Sequence, residues 1–298
     1  MTQSSDRRDV AAYREKITDE ICRALGFPPA GAARRLLGPL FRYPAGRFAG
    51  IIARADDEIR SSGLSGGARS ILADFSLKPA VRGAESIPRD GPLLIASNHP
   101  GAYDSLAIMA SVPRKDLKVV ISDVDFTRAF TAARKYYIYA PRDTAGRMKA
   151  LRASISHLAS GGALLLYAHG EVEPDPETSP GAGEALEDWS RSIEIILRRV
   201  PETRLQVSIA SGILMPRFLN SPLVRIRRNV PQRQKLAEFL QVSWQMVFPR
   251  SVQPKIHLSF SAPVEGRELP RDRLMPAVVA MAERLLEDHL AAVRRMPG

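Results

Sequence analysis

The stretch "SNHPGAYDSLAI", residues 97–108, brings two residues capable of proton chemistry close together in the chain. His99 supplies an imidazole that can accept a proton near neutral pH, and Asp104 supplies a carboxylate five positions later. On an α-helix, side chains at i and i+5 diverge because each residue advances by about 100°. Pro100 and Gly101 instead favour a tight turn that can fold the two groups together. The spacing predicts a site built in a turn.

Short apolar runs alternate with longer amphipathic segments from about residue 81 onwards. The runs that have the length of a buried strand are 92–97, 117–122, 136–140, 163–168, 205–211 and 255–260. This alternation predicts an α/β protein with a central, mainly parallel sheet flanked by helices. In such sheets, the loops at the strand ends carry the functional groups, and "NHPGAYD" directly follows the first predicted strand.

Three amphipathic segments have the spacing of helices. The spacing predicts helices over 144–159, with Thr144 as its cap, over 184–200 and over about 271–295. Between the first two lies "EVEPDPETSPGAGE", residues 171–184, which is rich in proline and acidic residues and predicts a loop.

Residues 1–80 are predicted to form a helical N-terminal region, followed by a catalytic domain over 81–298. Within the first region, the run 32–54 mixes apolar residues with arginines. The apolar members are Leu36, Leu37, Leu40, Phe41, Phe48, Ile51 and Ile52, and the arginines are Arg34, Arg35, Arg42, Arg47 and Arg54. This pattern fits a helix lying among lipid headgroups, and it fits equally an amphipathic helix pair packed on the main domain.

Composition narrows the class of protein. The chain of 298 residues is 45% apolar and carries a formal charge of +11, so a folded protein with an anionic partner is expected. A single cysteine, Cys22, excludes an intramolecular disulfide framework and fits the cytoplasm. The start lacks the apolar core of a secretory signal, and no stretch is long enough to span a bilayer, which predicts a soluble or membrane-peripheral protein.

Four blocks in order resemble the glycerol-phosphate and lysophospholipid acyltransferase family. "NHPGAYD" resembles the family's H-x-x-x-x-D signature, and "YYIYAPR" resembles its second block, a strand that ends in an arginine. "LLLYAHGEVEP" resembles the third block, usually Phe-Pro-Glu-Gly, and "VSIASGILMP" resembles the fourth. The blocks extend over residues 81 to about 216, somewhat under half of the chain.

The resemblance implies transfer of a fatty acyl group from acyl-CoA or acyl carrier protein to the hydroxyl of a lysophospholipid-like acceptor. His99 would be the general base and Asp104 would orient it, with no acyl-enzyme intermediate and no cofactor or metal. Arg142 would bind the acceptor's phosphate, because a guanidinium can donate two parallel hydrogen bonds to phosphate. Asp104 has a simpler interpretation as a helix cap, and the two roles are compatible.

The resemblance also assigns the third block, with His169 and Gly170, to binding the acceptor. This block departs from the family pattern, since His169 stands where the family has glutamate and Gly170 is kept. This puts the acceptor's identity in doubt, and Glu171 or Glu173 could take over from the missing glutamate. The alternatives are a catalytically inactive protein that binds acidic membrane surfaces and a basic nucleic-acid-binding module. The second is disfavoured because the basic residues are scattered and aromatic residues are only 6% of the chain.

Overall fold

A computed structural model describes residues 14–15, 17–19, 32–124, 127–128, 130–227, 229–249 and 251–296. Its helices are α1 (Ala32–Asp74), α2 (Ala102–Ser111), α3 (Thr144–Ala159), α4 (Ala182–Glu187), α5 (Ser192–Arg199), α6 (Pro216–Leu219), α7 (Pro222–Arg225), α8 (Val230–Val247) and α9 (Leu274–Arg294). Its strands are β1 (Ala80–Arg82), β2 (Leu93–Ser97), β3 (Lys118–Ser122), β4 (Tyr137–Ala140), β5 (Ala163–Tyr167), β6 (Arg204–Ser211), β7 (His257–Phe260) and β8 (Val264–Glu265).

These strands form one mixed sheet in the order β1-β7-β6-β2-β5-β3-β4, with β8 paired to β6. β2 lies between β5 and β6 and is parallel to both. β3 and β4 continue the parallel part, whereas β7 and β8 run antiparallel to β6. The predicted α/β class with a mainly parallel central sheet is confirmed.

Two apolar layers cover the two faces of the sheet because side chains alternate along each strand. On β2, Leu93 and Ile95 pack into one core with α1, α2 and α8. Leu94 and Ala96 face the other core, which α3, α5 and α9 complete. A strand buried on both faces reads as a continuous apolar run, which is why "LLIA" shows no alternation in the sequence.

The predicted helix over 184–200 is wrong, because the chain breaks there into α4 and α5. Between them, the Ser190 N–H donates to the Ala168 carbonyl at 2.7 Å and the Trp189 ring is buried. An unbroken helix would satisfy the Ser190 N–H within itself and would forgo this bond to the end of β5. At the start of α3 the cap is Asp143 rather than Thr144, since its carboxylate accepts from the Gly146 N–H at 2.8 Å.

Helix α1 packs its second half against the sheet. Ile51, Ile52 and Ile59 lie in the same core as Leu93, and a residue with φ +74°, Gly63, kinks the helix. The packed-helix interpretation therefore holds for the part of the run around Ile51 and Ile52. The side chains of Arg34, Arg35, Leu36, Leu37, Leu40 and Phe41, and all of Cys22, lie outside the described residues. The domain boundary at residue 80 stays a prediction.

In the part of the chain that the structure describes, every helix is too short or too polar to cross a bilayer.

Candidate active site

The turn after β2 brings the two predicted proton-handling side chains together. The Nδ1 atom of His99 lies 3.0 Å from Oδ2 and 3.2 Å from Oδ1 of Asp104. The Asp104 side chain is fully buried, whereas the His99 side chain stays 25% exposed. Asp104 is the third residue of α2, and its carboxylate also accepts from the Gly101 N–H at 3.0 Å. One carboxylate thus orients the imidazole and caps the helix.

Several polar groups of the turn have defined partners. The Asn98 side chain bonds both the N–H and the carbonyl of Ala210, at 2.8 and 2.9 Å, and so extends the pairing of β2 with β6. The His99 N–H donates to Glu173, and the Ala102 N–H donates to Glu238. Because these groups are held, the turn presents His99 in one orientation.

A second layer of contacts holds the Asp104 carboxylate and the His99 ring. The Tyr167 ring stacks on the His99 ring, with centroids 4.1 Å apart and planes 30° apart. The Tyr167 hydroxyl donates to Ser105 Oγ at 2.5 Å, and Ser105 Oγ–H donates to Asp104 Oδ1 at 3.0 Å. Tyr167 therefore restrains both members of the pair, directly and through Ser105.

The electrostatics of the site favour a charged imidazole. Burial lowers the pKa of His99, but the charge of Asp104 and its hydrogen bond to the ring raise it, helped by the charges of Glu238 and Glu173. The net pKa of His99 lies above the usual value for histidine. An ion pair with a buried carboxylate therefore stabilises the imidazolium that forms when the ring accepts a proton. With Nδ1 committed to Asp104, Nε2 is the nitrogen left for that proton.

Glu173 joins the loop 171–181, here called the acidic loop, to the turn after β2. Its Oε2 accepts from the His99 N–H at 2.9 Å, and its Oε1 accepts from the Trp189 indole N–H at 3.0 Å. The Glu173 N–H in turn donates to the His99 carbonyl at 2.8 Å. Burial raises the pKa of Glu173 to about 7, against the opposing effect of the two N–H donors.

The next acidic residues of the same loop bind the end of β6. The buried Asp175 accepts from the backbone N–H groups of Gly212 and Ile213, at 3.1 and 2.8 Å. Glu177 accepts from His257 Nδ1 at 2.7 Å and from the Ser211 hydroxyl. Three acids of "EVEPDPE", namely Glu173, Asp175 and Glu177, therefore make structural contacts that hold the loop across the carboxyl ends of the strands.

Helix α8 presents a polar stripe to the site. The stripe has members at i, i+4, i+7 and i+11, which share one helix face: Gln234, Glu238, Gln241 and Gln245. Glu238 binds the Ala102 N–H, and Gln234 donates to the Glu173 carbonyl at 2.7 Å. Gln241 accepts from the Met215 N–H and donates to the Ile213 carbonyl, both at 2.9 Å. One helix thus holds the three loops that surround His99.

The remaining predicted site residues lie at the same edge of the sheet. His169 and Gly170 follow β5, the strand next to β2, and the Ala168 N–H bonds the Ser97 carbonyl at 2.9 Å. His169 Nδ1 is buried and has no hydrogen-bond partner among the described residues. Arg142 follows β4 and is exposed. β4 lies three strands from β2, about 14 Å across the sheet at the usual strand spacing, so Arg142 is not part of the His99 cluster.

A cleft of about 770 Å³ lies elsewhere, between the β1–β7 edge and α9, and neither His99 nor Asp104 lines it. His289 lines this cleft but is itself buried, with Nε2 2.6 Å from Ser211 Oγ and Nδ1 2.8 Å from Ser259 Oγ. Burial lowers the pKa of His289 to about 4. Because both ring nitrogens of this neutral histidine are used, we interpret it as a structural link between α9 and the sheet.

Sequence reasoning missed most of the supporting residues. Tyr167 and Ser105 lay inside the quoted blocks, but their types carried no signal for a role. The stripe on α8 did carry one, since Q/E/Q/Q at helical spacing is visible in the sequence. That spacing shows that the four side chains share one face of a helix, whereas only the fold shows which groups this face contacts.

The comparisons with known proteins agree with this architecture. No protein-family model and no curated protein matches the sequence. Among solved structures, the crystal structure of the 1-acyl-sn-glycerophosphate (LPA) acyltransferase PlsC from Thermotoga maritima is similar to this chain with a TM-score of 0.50 and 13% identity. The match covers 85% of this chain and 83% of that chain. The predicted resemblance is confirmed as a likeness of fold: the chain has the fold of an LPA acyltransferase.

Proposed function

We propose that this protein is an O-acyltransferase that moves a fatty acyl group from acyl-CoA or acyl carrier protein to the hydroxyl of a lysophospholipid or glycerol-phosphate-type acceptor. The observation that carries the proposal is the contact of His99 Nδ1 with the buried Asp104 at 3.0 Å, at the carboxyl end of β2. The likeness of fold to the LPA acyltransferase supports the same class of chemistry.

In the proposed reaction, His99 Nε2 takes the proton of the acceptor hydroxyl as its oxygen attacks the thioester carbonyl. The new C–O ester bond forms, the C–S bond breaks, and the imidazolium returns its proton to the departing thiolate. The Asp104 carboxylate stabilises the imidazolium between these two steps. General-base assistance of this kind is worth about 10²- to 10⁴-fold in rate.

The acceptor's anionic group is proposed to bind along the edge that carries His169, Gly170 and Arg142. Gly170 has φ +82° and open space where a side chain would start, so a ligand can approach the backbone there. Arg142 is exposed at the far end of this edge, where its guanidinium could pair with a phosphate. His169 stands where the family pattern has a carboxylate and leaves this position without a negative charge.

We further propose that an anionic membrane surface supplies the acceptor, with the protein acting as a peripheral, cytoplasmic enzyme. The formal charge of +11 favours such a surface. Exposed aromatic side chains support it, since Trp244 and Phe248 are 46% and 48% exposed and their rings lie 4.8 Å apart. Tryptophan rings are favoured at the boundary between lipid and water.

The decisive experiment measures thiol release from acyl-CoA with a panel of lysophospholipids, glycerol 3-phosphate and amino-lipid acceptors. Thiol release that depends on one acceptor is expected for the unaltered protein. The His99→Ala variant should lose about 10²- to 10⁴-fold in kcat/KM, equivalent to roughly 3–5 kcal/mol of transition-state stabilisation.

A matched control is His157→Gln. His157 bonds the carbonyls of Asp116 and Ala163, which lie at the amino ends of β3 and β5, whereas His99 lies at the carboxyl ends of the strands. The activity of this variant should stay within about threefold of the unaltered protein, in line with a role outside the reaction. Unchanged turnover in a folded His99→Ala protein contradicts the assignment of the base. Vesicle binding without thiol release, with acyl carrier protein also tested as donor, favours the inactive membrane-surface alternative.

A further inference from the structure

The carboxylate of Glu173 contacts the candidate base through its main chain and not through its ring. We propose that Glu173 is a positioning residue for His99, holding the peptide group that carries the imidazole so that Asp104 can fix the ring. This inference rests on the proposed function, because a positioning role needs a reaction to serve. It gives Glu173 a task different from the acceptor contact that the family's glutamate position suggests.

The bonding between the two residues is reciprocal. Glu173 Oε2 accepts from the His99 N–H at 2.9 Å, and the Glu173 N–H donates to the His99 carbonyl at 2.8 Å. The acidic loop and the catalytic turn are therefore joined on both sides of the His99 residue. A hydrogen bond from an amide to an ionised carboxylate is stronger than one between two neutral groups.

The second carboxylate oxygen explains why the residue is acidic. Glu173 Oε1 accepts from the Trp189 indole N–H at 3.0 Å, and the Glu173 side chain is buried. Two N–H donors thus converge on one side chain, and only a carboxylate offers an acceptor oxygen to each. A glutamine has one acceptor oxygen, and its amide nitrogen would meet the other donor.

Trp189 is itself fixed by the break between α4 and α5. The Ser190 N–H bonds the Ala168 carbonyl at 2.7 Å, which ties this segment to the end of β5. Glu173 therefore connects the His99 turn to a segment anchored on the sheet. A displacement of about 1 Å in a reacting group can cost on the order of 10²-fold in rate, which is the scale on which such anchoring acts.

The strength of the hydrogen bond from the His99 N–H to Glu173 depends on the charge of the Glu173 carboxylate. Its surroundings contain the ring of His99, the carboxylate of Asp104 and the Trp189 N–H, while Gln234 of α8 binds its carbonyl and Glu238 of α8 faces His99. Burial raises the pKa of Glu173 to about 7. As pH falls below 7 the carboxylate takes up a proton, and its bonds to both N–H donors weaken.

The first test compares the kinetics of Glu173→Gln and Glu184→Gln. Glu184 is the matched control, since it is an exposed glutamate in the first turn of α4, the helix that follows the loop. Glu173→Gln should lower kcat at least about tenfold with KM within about twofold, because orientation is lost and substrate binding is not. Glu184→Gln should leave both constants within about twofold of the unaltered protein.

The second test detects the contacts of Glu173 by spectroscopy and needs no enzymatic activity. The chain has two tryptophans, so in a Trp244→Phe protein only Trp189 emits. Its fluorescence should titrate with a midpoint near the pKa of about 7. The ¹⁵N–¹H signal of the His99 amide should move with the same midpoint, in addition to the titration of its own ring, and the Trp189 titration should vanish in Glu173→Gln.

Three outcomes overturn the inference. They are a Glu173→Gln protein with unchanged kcat, a loss confined to KM, and a Trp189 emission and His99 amide signal that stay flat between pH 5 and pH 9. If Glu173→Gln fails to fold, the titrations of the protein that retains Glu173 decide alone. If no acceptor gives thiol release, the proposed function fails, while the two titrations still test the contact.

Discussion

At the scale of single residues, Asp104 combines the two roles that the sequence suggested for it, helix cap and partner of the His99 ring. Its Oδ2 binds both the His99 ring and the Gly101 N–H, while its Oδ1 accepts from Ser105. Because its position in the first turn of α2 points the carboxylate back over the turn, capping and orientation need no compromise. The i, i+5 spacing predicted this pairing correctly. A turn, not a helix face, brings the two side chains together.

Replacing Asp104 should move the pH dependence as well as the rate. The charge of Asp104 raises the pKa of His99, so Asp104→Asn leaves burial, which lowers that pKa, as the dominant effect. The proposed base must be neutral to act, and the rising limb of kcat/KM with pH should therefore shift to lower pH. The maximum rate should fall by roughly 10²-fold or more, because the imidazolium loses its counter-ion.

The pH profile of thiol release, measured for both proteins, checks this prediction. A limb that stays in place or moves to higher pH in Asp104→Asn would show that Asp104 does not set the protonation of His99.

At the scale of elements, helix α8 binds the loops around His99 through its buried polar side chains. Its buried amides satisfy backbone groups of the loops at 213–215 and 173, and Glu238 satisfies the start of α2. Loops at strand ends cannot pair with neighbouring strands, so their polar groups need partners from another element. Side-chain amides supply both a donor and an acceptor, which suits them to this task.

Removing one amide from the polar stripe of α8 should destabilise the protein measurably. Gln241→Leu leaves the Met215 N–H and the Ile213 carbonyl buried without partners, at a cost of about 2–4 kcal/mol in the free energy of unfolding. Gln232→Leu on the exposed side of α8 should change it by no more than about 0.5 kcal/mol. Urea denaturation measures both, and equal effects would show that the stripe contributes no specific bonds.

At the scale of the whole molecule, the strand order decides which blocks meet. β2 is central and has β5 and β6 as neighbours, so the first, third and fourth blocks converge at one edge. The second block ends at β4 on the margin of the sheet, which separates Arg142 from His99.

The overall charge leads to a prediction for the intact protein. With a formal charge of +11, the chain should sediment with vesicles containing phosphatidylglycerol and not with neutral phosphatidylcholine vesicles. Salt screens this attraction, so binding should drop strongly between about 0.05 M and about 0.5 M NaCl. Binding that is equal on both vesicle types, or insensitive to salt, would contradict an electrostatic membrane contact.

The sequence by itself determined the α/β class, most strand positions, and the pairing of His99 with Asp104, because periodicity and turn residues act over a few positions. It misjudged the segment 184–200, whose helical spacing is real but is broken where Trp189 turns towards Glu173. Only the tertiary structure decided the roles of Tyr167, Glu173 and the α8 stripe. Their partners lie far away along the chain, and such contacts exist only once the sheet has set the order of its strands.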